Sequence, residues 1–389
     1  VTAPLISIYN TYSGKLEPLN LKEPVGIYVC GITPYDTAHL GHVFTFSSYD
    51  ILIRYLRFLN ASVTYVQNVT DIDDDILIRS QKLDIGWQEL GKSETEKYLT
   101  IMDALNVLRP DYYPKATENI EQMVTIIQKL IETKIAYVKN GSVYFSIKKD
   151  KNFGKLSRFG YPAMLEIAND RGNFPLDPNK SDPLDFVLWQ KSRDDEPFWE
   201  APWGRGRPGW HIECSAMSMR YLGPTITIHG GGQDLIFPHH ECEIAQSENF
   251  SARQFVKTWM HTGIVYYEGH KMSKSLGNMV FVEDLLKNQS ANEIRIHLAM
   301  HHYRRPFNYE EGECKTAKNI SLLLESVAVK SNQLNNDEVM VYAKDFFKSL
   351  SNDLDTPSAI AALEKLAKSK DKNIGEAIYK CSQLLGIRF

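Results

Sequence analysis

Cysteine is scarce, with five residues in 389. That is too few and too scattered for a disulfide framework, so a reducing cytoplasm is the expected setting. Long apolar runs are missing too: none approaches the roughly 18–20 residues of a membrane-spanning helix. The start, Val1 to Asn10, lacks the basic patch and apolar stretch of a signal peptide. There is no internal repeat and no low-complexity tract. No charge sign dominates, since 44 basic and 48 acidic side chains leave a formal charge of −4. That balance excludes a polycationic nucleic-acid coat protein but allows a local basic surface. What is present is ordinary globular material, 43% hydrophobic and 24% charged, which excludes disordered, collagen-like and coiled-coil readings. The length suggests about two or three domains.

Val25 to Ile32 is β-rich and bounded by Pro24 and Thr33-Pro34. Gly41 to Leu59 carries Ile51, Leu52, Tyr55, Leu56 and Leu59 at helical spacing, and Val63 to Val69 is a second strand. Strand, crossover helix, strand predicts a parallel sheet. Helical patterns follow over Ser93–Leu108 and Thr117–Thr133, and Ala136–Phe145 reads as a small β insertion. Asn169–Asp185 has loop composition, and a helix is expected over His211–Tyr221. Strand-like Thr225–Ile228 runs into three glycines, a helix is expected to start near Pro238, and Lys257–Tyr267 holds a further strand. Past Phe281 the pattern is amphipathic helix, with no convincing strand.

Two short motifs carry chemistry. His39-Leu40-Gly41-His42 follows the first strand and opens a helix. A helix N-terminus offers unpaired N–H groups and a partial positive charge that attracts phosphate. The flanking histidines add donors for a charged phosphoryl group. Lys271-Met272-Ser273-Lys274-Ser275 follows a late strand of the α/β body, where parallel sheets bind ligands, and its lysines can neutralise phosphates. Each string alone also fits a solvated surface loop. Their joint placement favours a nucleotide site.

This pair of motifs resembles the class I aminoacyl-tRNA synthetases. Longer strings narrow the resemblance to the cysteinyl-tRNA synthetases: Cys30-Gly31-Ile32-Thr33-Pro34-Tyr35-Asp36, Asn68-Val69-Thr70-Asp71-Ile72-Asp73-Asp74, Gly206 through Cys214, and Gly230-Gly231-Gly232-Gln233-Asp234 through Phe237-Pro238-His239-His240. A related ligase of the mycothiol pathway joins cysteine to an amino sugar. Similarity runs from about Tyr28 into the C-terminal helices.

The resemblance implies an α/β fold: a Rossmann-type parallel-sheet nucleotide-binding catalytic domain over residues 1–280, with a connective insertion at about 110–185. A C-terminal α-helical bundle would occupy 281–389. The chain ends at Phe389, about where that bundle ends in the family, so no separate anticodon-binding domain is expected.

Soft thiolate and imidazole ligands suit zinc, and Cys30, Cys214 and His239 could hold it with a fourth group from the following turn. Both Cys242 and Glu243 can reach the helix face of His239, and spacing does not choose between them. The resemblance assigns Cys30, Cys214, His239 and Glu243 as ligands of one zinc ion per chain, which would bind the substrate thiolate. Taken singly, each cysteine reads as a small buried hydrophobe.

Carried over residue by residue, the resemblance gives catalytic roles to His39, His42, Lys271 and Lys274, with Mg²⁺ accompanying ATP. Gly232, Asp234 and Val265 would meet the adenosine part, while Gly31, Thr33, Thr45, Asn68, Thr70 and Trp210 would frame a cysteinyl-adenylate. His211, His229, His240, His261 and His270 read individually as structural. Asp71, Asp73, Asp74 and Asp75 read as helix N-terminal acids.

The implied partners are L-cysteine, ATP and tRNA(Cys), or an amino-sugar acceptor, with no membrane and a monomeric state. The short tail favours the sugar ligase. Glu243 and the weak match of Asn169-Asp170-Arg171-Gly172-Asn173-Phe174-Pro175 to that ligase's E-R-G-G-D-P string favour tRNA, which is preferred. A non-catalytic tRNA-binding paralogue, the third reading, could have lost the histidines, lysines and zinc ligands, and none is lost.

Overall fold

The computed structural model describes residues 5–35, 38–272, 276–369 and 374–389. Its centre is a four-stranded parallel sheet of β1 (Val25–Ile32), β2 (Val63–Val69), β3 (Ile226–Gly232) and β4 (Val256–Thr262), in the spatial order β4-β3-β1-β2. Strand β1 is followed by helix α1 (Leu40–Phe58), which crosses to β2 on one side, whereas β3 joins β1 on the other. The direction of winding therefore reverses between β1 and β3. In open parallel sheets that reversal leaves a crevice at the carboxyl ends of the two strands, where ligands bind.

Strand β1 is buried on both faces, as a central parallel strand must be. Ile27, Val29 and Ile32 join an apolar cluster with α1 and the C-terminal helices. Tyr28 and Cys30 belong to a second cluster, with Val66, Ile212 and Cys214. Alternation thus turns the Cys30 side chain away from α1 and towards helix α2 (Trp210–Leu222), which carries Cys214.

The segment between β2 and α2 holds helices Trp87–Ala104, Ile120–Glu132 and Tyr161–Asp170. It also builds an antiparallel sheet from a hairpin, Ala136–Lys139 with Ser142–Phe145, extended by Phe186–Lys191 and Gly206–Pro208. The last two strands lie beyond residue 185. Asp73 caps the helix Asp74–Leu83, accepting from the Asp75 N–H, and Asp74 and Asp75 fill its first turn. Asp73 to Asp75 have the helix N-terminal place expected of them, whereas Asp71 instead accepts from the Thr117 N–H at 2.9 Å and the Thr117 hydroxyl at 2.6 Å.

Two of the differences from the sequence expectation lie beside the crevice. The helix expected near Pro238 begins at Glu241 as α3 (Glu241–Ser251), because Phe237 is extended at φ −137°, ψ 135° and a wide turn, Ile236–His240, precedes the helix. Beyond Phe281, where no strand was expected, Phe307–Tyr309 pairs in parallel with Val265–Tyr267, which also pairs with His270–Lys271. Three residues are too short for an alternation to register, and the pairing partner lies some forty positions away.

Helices Ala291–Ala299, Glu311–Val327, Asn336–Tyr342, Lys344–Ser351, Thr356–Ala367 and Ile374–Leu384 complete the chain. Among the described residues no helix is long and apolar enough to cross a membrane. The bundle grips α1 through a buried charge. Asp50 accepts from Arg54 Nε at 3.0 Å, from the Leu108 N–H at 2.9 Å and from Arg295 Nη2 at 2.5 Å. Arg295, 2% exposed, also donates to the Leu385 carbonyl. Removing one partner of a buried pair strands the other. Asp50→Ala is expected to lower unfolding stability by about 3–5 kcal/mol in chemical denaturation, and a loss below about 1 kcal/mol would reject the coupling of α1 to the bundle.

Candidate functional site

A cavity of about 610 Å³ opens at the carboxyl ends of β1 and β3. Eleven of the residues expected at the site line it: Cys30, Gly31, Thr33, His39, His42, Thr45, Trp210, Gly232, Asp234, Val265 and Lys271. Lys274, with Ser273 and Ser275, lies outside the described residues. Asn68 and Thr70 stand behind the strand end, where Asn68 Oδ1 accepts from the Gly31 N–H at 2.8 Å and the Thr70 N–H donates to the Ile32 carbonyl at 3.0 Å. Gly31 is required here, because a Cβ would sit 1.7 Å from the Asn68 carbonyl oxygen.

The first end of the cavity is built to meet anionic oxygen. His39 is the N-cap of α1, and its Nδ1 accepts from the Gly41 N–H at 3.1 Å. The His39 and His42 rings stack, with centroids 3.8 Å apart. The helix runs 19 residues with no acidic residue in its first turn, so no acid of the helix itself offsets the positive end of its dipole. Across the opening, Asp234 Oδ2 accepts from Lys271 Nζ at 3.0 Å and pairs with Arg171 Nη2 at 3.4 Å. Burial would raise the Asp234 carboxyl, but these two cations hold it below its ordinary range. Arg171 is a cavity residue that sequence reading noted only as part of a weak motif match. It comes from the end of a helix in the insertion, and no local pattern points it at the sheet.

The second end is sulfur-rich and buried. Cys30 Sγ lies 3.7 Å from Cys214 Sγ and 3.4 Å from Glu243 Oε1, and His239 Nε2 lies 3.1 Å from the same oxygen. The ligand atoms of Cys30, Cys214, His239 and Glu243 all fall within 4.8 Å of one another. An overlapping quartet, Cys30, His229, His240 and Glu243, meets the same limit. The first quartet borders the cavity, for the Trp210 ring that lines it lies 4.4 Å from the His239 ring.

Within the second quartet His229 Nε2 lies 2.8 Å from Glu243 Oε2 and His240 Nε2 lies 3.3 Å from Cys30 Sγ, while the other nitrogen of His240, Nδ1, meets His261 Nε2 at 2.7 Å. His261 Nδ1 in turn meets Thr11 Oγ1 at 2.8 Å. His211 Nδ1 lies 2.9 Å from His239 Nδ1. Four histidines read singly as structural, His211, His229, His240 and His261, thus surround the cluster, while His270 is exposed on its two-residue strand.

The charges fit a cation. Burial would push the Glu243 carboxyl up, but His229 and His239 bring it down to about 2. Burial would lower His239, and the facing Cys214 and Glu243 raise it to about 10. Without an ion, a proton on His239 is what balances the anions. Burial holds His211 and His240 far below the usual imidazole value, so their rings are neutral. Two thiols, one imidazole and one carboxylate form a donor set suited to zinc. Cys242 is absent from both quartets. It is 1% exposed, packs in the second apolar cluster, and burial raises its thiol.

Comparison with known proteins accords with this geometry. Residues 16–319 match the family model described as tRNA synthetases class I (C) catalytic domain. A cysteine–tRNA ligase from Dehalococcoides mccartyi is 42% identical over 380 residues, covering 96% of this chain and 82% of the relative. One from Hydrogenovibrio crunogenus is 43% identical over 376 residues, covering 94% and 80%. Among solved structures, Mycobacterium tuberculosis methionyl-tRNA synthetase bound by methionyl-adenylate aligns with a TM-score of 0.65 at 12% identity, over 94% of this chain and 89% of that one. That last likeness concerns the fold alone.

The quartet geometry separates the two candidate fourth ligands. Glu243→Gln is expected to weaken zinc binding by at least about 10-fold in competition with a chromophoric chelator, while Cys242→Ala leaves it unchanged. The opposite ranking would move the fourth ligand to Cys242.

Proposed function

The chain belongs to the class I (C) family of tRNA synthetases, and we propose that it activates L-cysteine with ATP and transfers it to tRNA(Cys). We further propose that residues 1–280 form the catalytic unit and 281–389 a helical unit that braces it. One observation carries the reading: Cys30 belongs both to the cavity bordered by His39 and His42 and to the buried sulfur cluster. An amino acid lying between these ends would present its side chain to the cluster and its carboxylate to the phosphates.

The substrate carboxylate attacks the α-phosphorus of ATP, a P–O bond to the carboxylate forms, and the bond to pyrophosphate breaks. No general base is needed, because a carboxylate is already ionised near neutral pH. Catalysis is then positioning plus stabilisation of charge on the phosphoryl oxygens. His39, His42, the α1 N-terminus and Lys271 supply that charge, with Lys274 and the Mg²⁺ that accompanies ATP. Asp234 and Gly232 flank the adenosine part, and Val265 forms an apolar wall. Thr45, bonded to Thr262 at 2.7 Å, and Thr33 close the middle of the crevice, while Trp210 covers the cysteine end. In the second step the terminal ribose hydroxyl of the tRNA attacks the activated carbonyl, and AMP leaves.

Zinc held by Cys30, Cys214, His239 and Glu243 would supply a soft centre that prefers a thiolate to the hydroxyl of serine. A dedicated contact of this kind separates analogues by about 10⁴-fold or more, whereas an apolar pocket gives about 1–3 kcal/mol. The histidines behind the cluster orient the ligands: His229 donates to Glu243, and His211 fixes the far nitrogen of His239.

Cysteine-dependent ATP–pyrophosphate exchange is expected with zinc present, and its absence would leave the non-catalytic reading. Cys214→Ser is expected to lower zinc content and exchange together; unchanged metal content would reject the assignment. Offered both tRNA(Cys) and glucosaminyl-inositol, the enzyme is expected to form cysteinyl-tRNA. Amide formation alone would transfer the assignment to the sugar ligase.

A further inference from the structure

Far from the cysteine-lined cluster, a second group of ligand-type side chains meets between the helices Ala291–Ala299 and Glu311–Val327. His297 lies in the last turn of the first helix, His301 just past its end, and Glu313 in the first turn of the second. Glu313 Oε2 lies 3.3 Å from His297 Nε2 and 3.0 Å from His301 Nε2, and the three ligand atoms are mutually within 4.8 Å. A tetrahedral ion with bonds of about 2.0–2.1 Å has neighbouring ligand atoms about 3.3–3.4 Å apart, so two edges of such a tetrahedron are already formed.

Hydrogen bonding leaves His297 incomplete. Its ring is 3% exposed, and its Nδ1 faces Cys314 Sγ at 3.6 Å. Its Nε2 is buried, lies beside a carboxylate oxygen, and makes no well-directed hydrogen bond. A neutral imidazole has one proton, and in the tautomer that carries it on Nδ1, as a donor to the sulfur, the Nε2 lone pair confronts the Glu313 carboxylate. A cation between them resolves that confrontation.

Both rings are also held from behind. His301 stacks on Phe307 with centroids 3.7 Å apart and planes 7° from parallel, and His297 stacks on Tyr309 at 5.2 Å. Such fixed rings lose little freedom on binding an ion. His301 and Glu313 retain 17% and 35% side-chain exposure, which gives an ion a way in and a place for a water ligand.

We propose that His297, His301 and Glu313 form a second metal site, for a late first-row divalent ion such as zinc. Two imidazoles and one carboxylate select that class over calcium or magnesium, which prefer all-oxygen shells. An ion there ties the two helices to the strand Phe307–Tyr309, which pairs with Val265–Tyr267 at the cavity wall.

The test strips the full chain with chelator, reloads it with Zn²⁺ and counts metal per chain. Two equivalents are expected in the parent and one in both His301→Ala and Glu313→Ala, with folding checked by circular dichroism. Reloading with Co²⁺ identifies which ion is lost: thiolate-to-cobalt charge transfer belongs to Cys30 and Cys214 and should persist in both variants. A metal count that does not fall by one equivalent from the parent to each variant overturns the proposal. The readout is a difference of one ion, so it stands apart from any failure of the cysteine-activation reading.

Discussion

A carboxylate with both oxygens out of water needs a donor or cation for each, and Glu243 is the group around which the deep end of the crevice is arranged. One oxygen meets His239 and Cys30, and the other meets His229. Two of these neighbours are held by a further contact, through His211 behind His239 and through His240 and His261 beside Cys30. An isolated charge at such depth would cost several kcal/mol. The surrounding histidines are therefore part of the same electrostatic unit as the four candidate ligands, and a cation at the cluster would balance the same anions that raise His239.

The sheet sets where that unit can be. Strand β1 lies between β2 and β3, so its carboxyl end borders the only reversal of winding within the four-stranded sheet. Its two-residue period sends Cys30 to the side of α2 and opens Gly31 and the following turn to the crevice. Gly230 allows the equivalent approach on β3, where a Cβ would meet the Met260 carbonyl oxygen at 1.7 Å. The histidine-bearing end and the sulfur-lined end of the crevice thus meet at β1, which carries Cys30 and leads into α1 with His39 at its cap.

Much of this was legible in the residues. The strand–helix–strand opening, the helix cap at His39 and the acid caps at Asp73 to Asp75 follow from local pattern and local hydrogen bonding. The separation between His239 and Glu243 suggests one helical face, and the two do meet although His239 lies in the turn before α3. The same rule admitted Cys242 equally. Only the packing of α3 against α2 turns Cys242 into the apolar cluster and Glu243 towards Cys30. His229, buried at the sheet, and Arg171, at a helix end, have no sequence signal of their own, because each acquires its role from an element distant in the chain. The strand Phe307–Tyr309 escaped notice for the same reason: its β character is conferred by Val265–Tyr267 and not by its own three residues.

The helical part of the chain bears on the crevice through the axis of α1. That helix presents His39 and His42 at its first turn, so any tilt of the axis moves both rings relative to β3. Its middle is fixed by Asp50, which gathers Arg54, Leu108 and Arg295. Its far end is fixed by Asn336, whose Nδ2 donates to the Phe58 carbonyl at 2.8 Å. Near its start, Leu40 donates to the Val280 carbonyl at 2.9 Å, just where the chain leaves the lysine-bearing loop. A rod held at three points along its length cannot pivot about any one of them. His39 and His42 thereby depend on bundle contacts made further along α1, at Asp50 and Phe58, and under the function proposed above a helical segment that touches neither nucleotide nor cysteine belongs to the geometry of the reaction.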